Sequence, residues 1–425
     1  MFFFTLVYLL FVTPGYCQSC NTSADDGFGI GTRTLPPAAN VSTAPPTGPY
    51  RVGVTFETYC FQDRGLTLSF WYPATPEETA SPYVSTGGIV GKAVQDAPID
   101  PAGGPYPLIL FSSGLAAVND AYYFYLQNLA SNGYVVVSTQ HLDARNANTT
   151  SVPAYSALAA LDAAAGNTND AVVELYTEWF RETQFALTYR PQEIEFAIDQ
   201  ALAENNDPSS RFHRTIDADK IGMTGHSLGG FYTNVVGGGM PLYCDYIMRP
   251  DQLNPNNGIL ADVSPCAFST CQGLPSPSAL HDSRIKAIVG LAAPSFLTKT
   301  QIARSAAPII IPNMILTGDN FTSETTAWIQ RAIYDNTAGP SHWVKVAKTN
   351  HYLVADSYLL NPVLSANMGA ADKENFLDKA AVYMTYSAAF FNYYLKGNGS
   401  NYAILTEKSS SFVKELEFRN FDGGS

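Results

Sequence analysis

Short apolar runs alternate with longer amphipathic or Ala-rich stretches through most of the chain. The apolar runs predict strands at 50–56, 66–72, 107–111, 134–138, 220–224, 284–291, 313–317 and 343–347. The longer stretches predict helices at 121–131, within 156–205, from 230 onward and at 373–396. Continuous apolar strands that alternate with helices are typical of a mostly parallel sheet covered on both faces. The pattern therefore predicts an α/β fold.

The chain divides into three parts. Residues 1–17 predict a secretory signal, 18–49 an irregular arm rich in Pro, Thr, Ser and Ala, and 50–425 one α/β domain. Stretches near 144–205 and 240–283 interrupt the alternation and predict insertions. The Ala-rich segment 156–175 in the first is interpreted as a packed helix that could form a lid over the carboxyl end of the sheet. A Pro/Ser/Gly-rich loop is expected between 73 and 106.

The N-terminal apolar run supports secretion. It covers 2–12 and is too short to span a bilayer, and cleavage is expected after Gly15 or Cys17. Oxidised cysteines and N-linked glycans fit this compartment. The cysteines are Cys17, Cys20, Cys60, Cys244, Cys266 and Cys271, and their pairing stays open. The glycosylation sequons begin at Asn21, Asn40, Asn148, Asn320 and Asn398.

Composition and charge exclude several classes of protein. Hydrophobic residues make up 46% of the chain and charged residues 14%, which is enough apolar material for a large core. Lys and Arg number 24 against 37 Asp and Glu, so the net charge is −13. An acidic surface repels phosphate backbones and offers no basic patch for anionic lipid. We expect no nucleic-acid partner and at most transient contact with a lipid surface, and the oligomeric state stays open.

The segment 225–229, Gly-His-Ser-Leu-Gly, has the Gly-x-Ser-x-Gly pattern of a nucleophile turn. An apolar strand precedes it and a helical stretch follows, which is the context that the turn requires. Such a turn holds the serine hydroxyl at the end of the sheet and near the positive end of a helix. Ser227 is the predicted nucleophile.

A serine hydroxyl needs a general base and an orienting acid, which follow the serine in the order acid, then His. Of the downstream histidines, His351 comes just after the last predicted strand, whereas His342 precedes that strand and His281 lies in an insertion. Asp319 follows the strand at 313–317 and is the predicted acid. Asp356 and Glu324 are the alternatives. We expect His226 to pack or hydrogen-bond locally.

The oxyanion of the reaction intermediate requires two backbone N–H donors. The amide of Leu228, next to the nucleophile, is one candidate, and the amide of Leu115, in the loop after the strand at 107–111, is the other. The glycine-rich segment 27–31 lacks a preceding strand, and the spacing of His and Cys fits no zinc motif, so we expect neither cofactor nor metal. His141 and Asp143 are interpreted as polar residues of a loop at a strand end and not as metal ligands.

Several motifs resemble α/β-hydrolases of the platelet-activating-factor acetylhydrolase type and bacterial cutinase-like polyester hydrolases. The resemblance runs from about 50 to 395 and rests on the segments 68–73, 107–115, 129–137, 140–143 and 225–230. It implies an α/β-hydrolase fold and a Ser-Asp-His triad without cofactor. Ala292 and Ala293 stand where the acetylhydrolases have their acid, Asp319 matches the cutinase-like position, and Ser113 replaces a usual His.

These observations predict a secreted serine carboxylic ester hydrolase that works through an acyl-enzyme on a small-molecule or lipid ester, such as an acetylated phospholipid. A lipase or cutinase-like polyester hydrolase is one alternative. A binding protein that kept the fold without catalysis is the other. Acyl and alcohol preference depends on the insertions and stays open.

Overall fold

The computed structural model describes residues 41–62, 64–75, 81–115, 117–143, 186, 189–240, 279–293, 299–319, 324–361 and 370–420. The predicted signal, most of the arm, and the larger parts of both predicted insertions lie outside these residues. The same holds for every cysteine except Cys60 and every sequon Asn except Asn398.

Twelve strands of the described chain form one sheet. They are β1 (Val41–Ser42), β2 (Arg51–Phe61), β3 (Arg64–Ala74), β4 (Pro82–Val84), β5 (Ile89–Gln95), β6 (Tyr106–Ser112), β7 (Val135–Thr139), β8 (Ile216–His226), β9 (Ile285–Leu291), β10 (Asn313–Gly318), β11 (Ser341–Val346) and β12 (Val413–Arg419). Their order is β1-β5-β2-β3-β7-β6-β8-β9-β10-β11-β12, with β4 paired to β5. The six strands from β7 to β11 in this order are parallel, and β3 and β12 flank them antiparallel.

Helices connect and cover these strands. They are α1 (Tyr123–Ser131), α2 (Arg190–Asn206), α3 (Leu228–Val236), α4 (Lys299–Ala306), α5 (Glu324–Asn336), α6 (Asp356–Leu360), α7 (Ala370–Lys373), α8 (Phe376–Tyr394) and α9 (Tyr402–Thr406). No helix within the described ranges is both long and apolar enough to cross a membrane.

The parallel strands contribute side chains to two hydrophobic cores, one on each face of the sheet, because successive side chains point to opposite faces. In β6, Ile109 and Phe111 pack with α1 and α8, whereas Leu108 and Leu110 pack with α2 and α3. Both faces of the central strands are therefore buried, which explains their unbroken apolar runs.

The structure adds elements to those predicted from the pattern. The expected loop at 73–106 contains β4 and β5, and the C-terminal strand β12 was not predicted. The end of the expected irregular arm forms β1, which pairs with β5. The last part of the predicted insertion at 144–205 forms α2. This helix follows β7 and precedes β8 in the chain, and it packs against the sheet. Short or half-polar segments such as β4 and β12 give too little periodicity to read without their neighbours.

Candidate active site

Ser227 lies on the sharp turn between β8 and α3. Its backbone has φ 54° and ψ −124°, a conformation that residues with side chains rarely adopt. The turn is held because the Ser227 N–H donates to the Leu291 carbonyl at 2.9 Å, and the Ser227 carbonyl accepts from the Phe231 N–H at 3.1 Å. The hydroxyl is thereby presented at the carboxyl end of the sheet.

The glycines around Ser227 allow backbones to approach closely. A Cβ on Gly229 would lie 1.9 Å from the carbonyl oxygen of Ser112, and one on Gly225 would lie 2.5 Å from the carbonyl oxygen of Gly229. Both distances are shorter than any tolerable contact. The strand β6, the serine turn and the start of α3 can therefore pack together only with glycine at these positions.

His351 follows β11 and reaches back over the serine. Its Nε2 lies 2.8 Å from the Ser227 Oγ. For the hydroxyl to donate in this hydrogen bond, Nε2 must be unprotonated. Burial lowers the pKa of His351 to about 4, because the enclosed site disfavours the charged imidazolium. At neutral pH the ring is a neutral acceptor facing the hydroxyl.

The loop after β6 lies beside the nucleophile. A Cβ on Gly114 would be 3.4 Å from the Ser227 Cβ. On its inner side, the buried guanidinium of Arg190 donates to the carbonyls of Ser113 at 2.6 Å and Gly114 at 3.0 Å. In a trans peptide the N–H points opposite to the C=O, so the Leu115 N–H is directed away from Arg190. This orientation agrees with an amide presented on the outer side of the loop.

The second predicted oxyanion donor begins a helix. Leu228 is the first residue of α3, where amides have no partner within the helix and the helix dipole is positive. Developing negative charge beside Ser227 would be stabilised at this end of α3.

His226 is hydrogen-bonded, but its partners Tyr122 and His351 lie far from it in the chain. Its Nε2 lies 2.7 Å from the His351 carbonyl oxygen, and its Nδ1 lies 3.2 Å from the Tyr122 hydroxyl. Burial, and then the nearby His351, hold the pKa of His226 well below its usual range. The imidazole is therefore neutral.

Asp319 follows β10, as predicted. The hydrogen bonds described for its carboxylate are with groups other than His351. One carboxylate oxygen accepts from the Lys348 N–H at 2.5 Å and the other from the Lys414 ammonium at 2.9 Å. Its role as the acid stays a prediction.

The two alternative acids start helices. The Asp356 carboxylate accepts from the Tyr123 N–H at 2.8 Å, the Phe124 N–H at 3.1 Å and the Thr43 hydroxyl. These contacts place it at the beginning of α1. Glu324 is the first residue of α5, and its side chain lies outside the described atoms.

A buried polar network lies below the β6 loop and was not predicted from the sequence. The Ser112 hydroxyl lies 2.7 Å from the His141 Nε2, and the His141 Nδ1 lies 2.6 Å from the Glu193 carboxylate. Arg190 donates to the Asp143 carboxylate at 2.9 and 2.5 Å. A signal was present, because Arg190 and Glu193 stand one turn apart on the apolar face of α2.

The remaining candidates from the sequence lie elsewhere. His342 is buried within β11 with its Nε2 2.9 Å from the Tyr394 hydroxyl, and His281 is exposed. Within the described residues, no three His, Cys, Asp or Glu side chains form a group that could hold a metal ion.

Parts of the chain are similar to known proteins. The family model described as platelet-activating factor acetylhydrolase, isoform II, matches residues 83–236, which include the β6 loop and the serine turn. Platelet-activating factor acetylhydrolase of Bos taurus is 26% identical over 224 residues, 43% of this chain and 49% of the relative. The chain thus spans about half the length of that curated relative.

A solved structure shares the fold more completely. The ferulic acid esterase from Streptomyces cinnamoneus matches with a TM-score of 0.55 and 18% identity, covering 90% of this chain and 100% of that one.

The sheet order, the serine turn and these likenesses show that the chain has the α/β-hydrolase fold. The relatives that it resembles are of the platelet-activating-factor acetylhydrolase and esterase type. The fold class and the resemblance predicted from the sequence are confirmed.

Proposed function

We propose that the protein is a serine hydrolase of carboxylic esters. The observation that carries this proposal is the 2.8 Å contact between the His351 Nε2 and the hydroxyl of a serine held in a strained strand-to-helix turn. A neutral imidazole in this position can take the serine proton as the oxygen attacks. The names of the matched proteins, an acetylhydrolase and an esterase, support the same class.

The proposed reaction has two halves. The Ser227 Oγ attacks the ester carbonyl while the His351 Nε2 takes its proton, and the Leu115 and Leu228 amides stabilise the oxyanion. The imidazolium then protonates the leaving alcohol, and the acyl group remains on Ser227. Water, deprotonated by His351, attacks the acyl-enzyme, and collapse of the second tetrahedral intermediate returns the serine and releases the acid.

Covalent labelling tests this function directly. A fluorophosphonate probe should label the folded protein, and Ser227→Ala should abolish labelling while its melting temperature stays close to that of the original protein. His351→Gln should slow labelling strongly without removing the attacking oxygen. A folded protein that the probe does not label would support the non-catalytic alternative.

The acid is tested by comparing three carboxylates. We propose Asp319, whose replacement by Asn should lower kcat by about 10⁴-fold if it orients His351 as a triad acid does. Glu324→Gln and Asp356→Asn are the matched variants. A large loss in Glu324→Gln with little change in Asp319→Asn would transfer the role to Glu324.

The proposed substrates are lipid esters, with an acetylated phospholipid as the first candidate. Supporting this choice are the matched acetylhydrolase family model and the motifs at 107–115 and 225–230. Short- and long-chain nitrophenyl esters, an acetylated phospholipid and a polyester film should be compared by kcat/KM or product release. Turnover of the film without turnover of the phospholipid would favour the cutinase-like alternative, which the acid position after β10 also suggests.

We further propose that the protein is secreted. Cys60 is disulfide-bonded, and Asn398 is exposed in an Asn-Gly-Ser sequon after α8. Both features fit an oxidising secretory compartment. Expression of the full chain in a eukaryotic cell should deliver it to the medium, with a glycosidase-sensitive mass shift that Asn398→Gln reduces. Retention of an unglycosylated chain inside the cell would contradict secretion.

A further inference from the structure

Two loops must meet correctly for the proposed chemistry, and they start from distant strands. The loop that holds Gly114 and Leu115 follows β6, next to the nucleophile strand β8. The loop that holds His351 follows β11, three strands away from β8, or about 14 Å at the usual strand spacing. A small error in either loop would separate the base or the oxyanion donors from the reacting atoms.

A buried chain of hydrogen bonds joins these loops. The Gly114 N–H donates to the Tyr122 Oη at 2.7 Å, which lies 3.2 Å from the His226 Nδ1. The His226 Nε2 lies 2.7 Å from the His351 carbonyl oxygen. Tyr122 is fully buried and His226 is 3% exposed, so water does not compete for these bonds.

The protons in this chain have one consistent arrangement. The His351 carbonyl only accepts, so the His226 Nε2 carries the hydrogen. The hydroxyl of Tyr122 already accepts from Gly114 and therefore donates its own hydrogen to the bare Nδ1 of His226. Every link is satisfied when His226 is neutral.

We propose that Tyr122 and His226 are positioning residues that fix the oxyanion loop relative to His351. The bridge acts at both ends of the reaction centre: it holds the Ser113–Gly114 peptide, one peptide unit before the Leu115 amide, and it holds the backbone of the general base. This inference rests on the proposed esterase function. Neither residue needs to touch the substrate.

The fold does not depend on this bridge alone. Asp356 ties the histidine side of the site to α1 by accepting the Tyr123 and Phe124 amides, and the Ser357 N–H donates to the Ala121 carbonyl at 3.2 Å. Loss of the Tyr122 hydroxyl should therefore leave the two segments together but free to shift by a fraction of an ångström.

The test is Tyr122→Phe with Tyr125→Phe as its matched control. Both rings are fully buried, and the Tyr125 hydroxyl makes two hydrogen bonds, to Thr224 and Ser387, away from Gly114 and His226. Tyr122→Phe should lower kcat on a nitrophenyl ester by about 10- to 100-fold with little change in KM, because misplaced groups chiefly affect the transition state. Tyr125→Phe should show a similar loss of melting temperature and a kcat within about twofold of the original.

Variants of His226 add a second measurement. His226→Gln keeps a donor that can reach the His351 carbonyl and should retain more activity than His226→Leu. In the double variant Tyr122→Phe/His226→Leu, the loss of kcat should be close to that of the larger single loss, since both changes break one chain.

The outcomes separate this inference from the proposed function. If the original protein is not labelled by fluorophosphonate, the esterase function fails. If it is labelled and turns over ester, but Tyr122→Phe matches Tyr125→Phe in kcat or the two bridge residues act additively, the positioning bridge is wrong.

Discussion

At the residue scale, one backbone conformation decides what Ser227 can do. The positive φ projects its hydroxyl out of the sheet end, and α3 begins directly afterwards. The strain at this position is maintained by hydrogen bonds to Leu291 and Phe231 and by the close approach of Gly229 to β6. The reactivity of Ser227 therefore depends on the lack of a side chain at Gly229 as much as on the serine hydroxyl itself.

Gly229→Ala should disrupt the turn. Its Cβ would lie 1.9 Å from the Ser112 carbonyl oxygen, so the backbones of β6 and α3 must separate. We expect a loss of about 1–3 kcal/mol or more in the free energy of unfolding, together with at least tenfold slower fluorophosphonate labelling. Gly399→Ala is the control, since a Cβ there meets nothing within 4 Å. Equal behaviour of the two variants in denaturant titration would refute this account of the turn.

The activity of the free enzyme should persist to unusually low pH. Burial lowers the pKa of His351 to about 4, so its neutral, proton-accepting form dominates above that value and is lost as the pH falls through it. A plot of kcat/KM against pH should therefore have its acid limb near pH 4, with fluorescence recording at each pH that the protein is folded. A limb at about 6.5 with the fold intact would show that the imidazole is solvated.

At the element scale, α2 supports the loop between β6 and α1. Arg190, at its first position, is fully buried and donates to the Ser113 carbonyl, the Gly114 carbonyl and the Asp143 carboxylate, and at 3.4 Å to the Ser112 hydroxyl. Burying a charge is costly unless it is paired and hydrogen-bonded, and here both conditions hold. The helix thus fixes peptide orientation in a loop that has no regular structure of its own.

Arg190→Met should be strongly destabilising, by about 3–5 kcal/mol, because it leaves the Asp143 carboxylate buried without its cation. Arg211→Met, which breaks an exposed pair with Asp96, should cost about 0–1 kcal/mol. Chemical denaturation of both variants measures the difference. Folded Arg190→Met protein should also label slowly with fluorophosphonate. Normal stability together with normal labelling would show that Arg190 does not support the loop between β6 and α1.

At the scale of the whole molecule, several ionisable groups are buried in the form that folding prefers. Burial lowers the pKa of His141, His226, His342 and His351, whereas burial raises the pKa of Asp356 to about 7. Below about pH 6.5, these histidines bind protons in the unfolded chain but remain unprotonated in the folded protein. Asp356 acts in the opposite sense, because the folded state takes up its proton first. The histidines outnumber it.

Stability should therefore fall as the pH is lowered from about 7 to 4. His342 isolates one contribution, since its pKa is lowered to about 3 by burial far from Ser227. Between pH 7.5 and 5, His342→Gln should reduce the loss of unfolding free energy by about 2 kcal/mol relative to the original protein. His281→Gln, at an exposed position, is the matched histidine variant. Urea titrations at the two pH values make the comparison, and parallel slopes for all three proteins would contradict it.

The central fold was predictable because its signals are local. Apolar runs marked β6, β7, β8, β9, β10 and β11, since strands buried on both faces carry apolar side chains at most of their positions. The serine turn was predictable for a related reason: strand, glycines and helix follow one another within a few residues. The strands β4, β5 and β12 were missed because buried, intermediate and exposed positions are mixed along them, and their identity depends on the neighbour with which they pair.

The amino-acid sequence was enough to select Ser227, His351 and the loop after β6 as the proposed site, because each stands at a recognisable end of a strand. The tertiary structure alone decided how these parts are held, through Arg190 beneath the loop and through Tyr122 and His226 between the loop and His351. Apart from the Gly114–Tyr122 hydrogen bond, which spans 8 positions, those contacts join residues between 76 and 125 positions apart in the chain. No local pattern encodes them, since a hydrogen bond depends on distance and direction in space and not on separation along the chain.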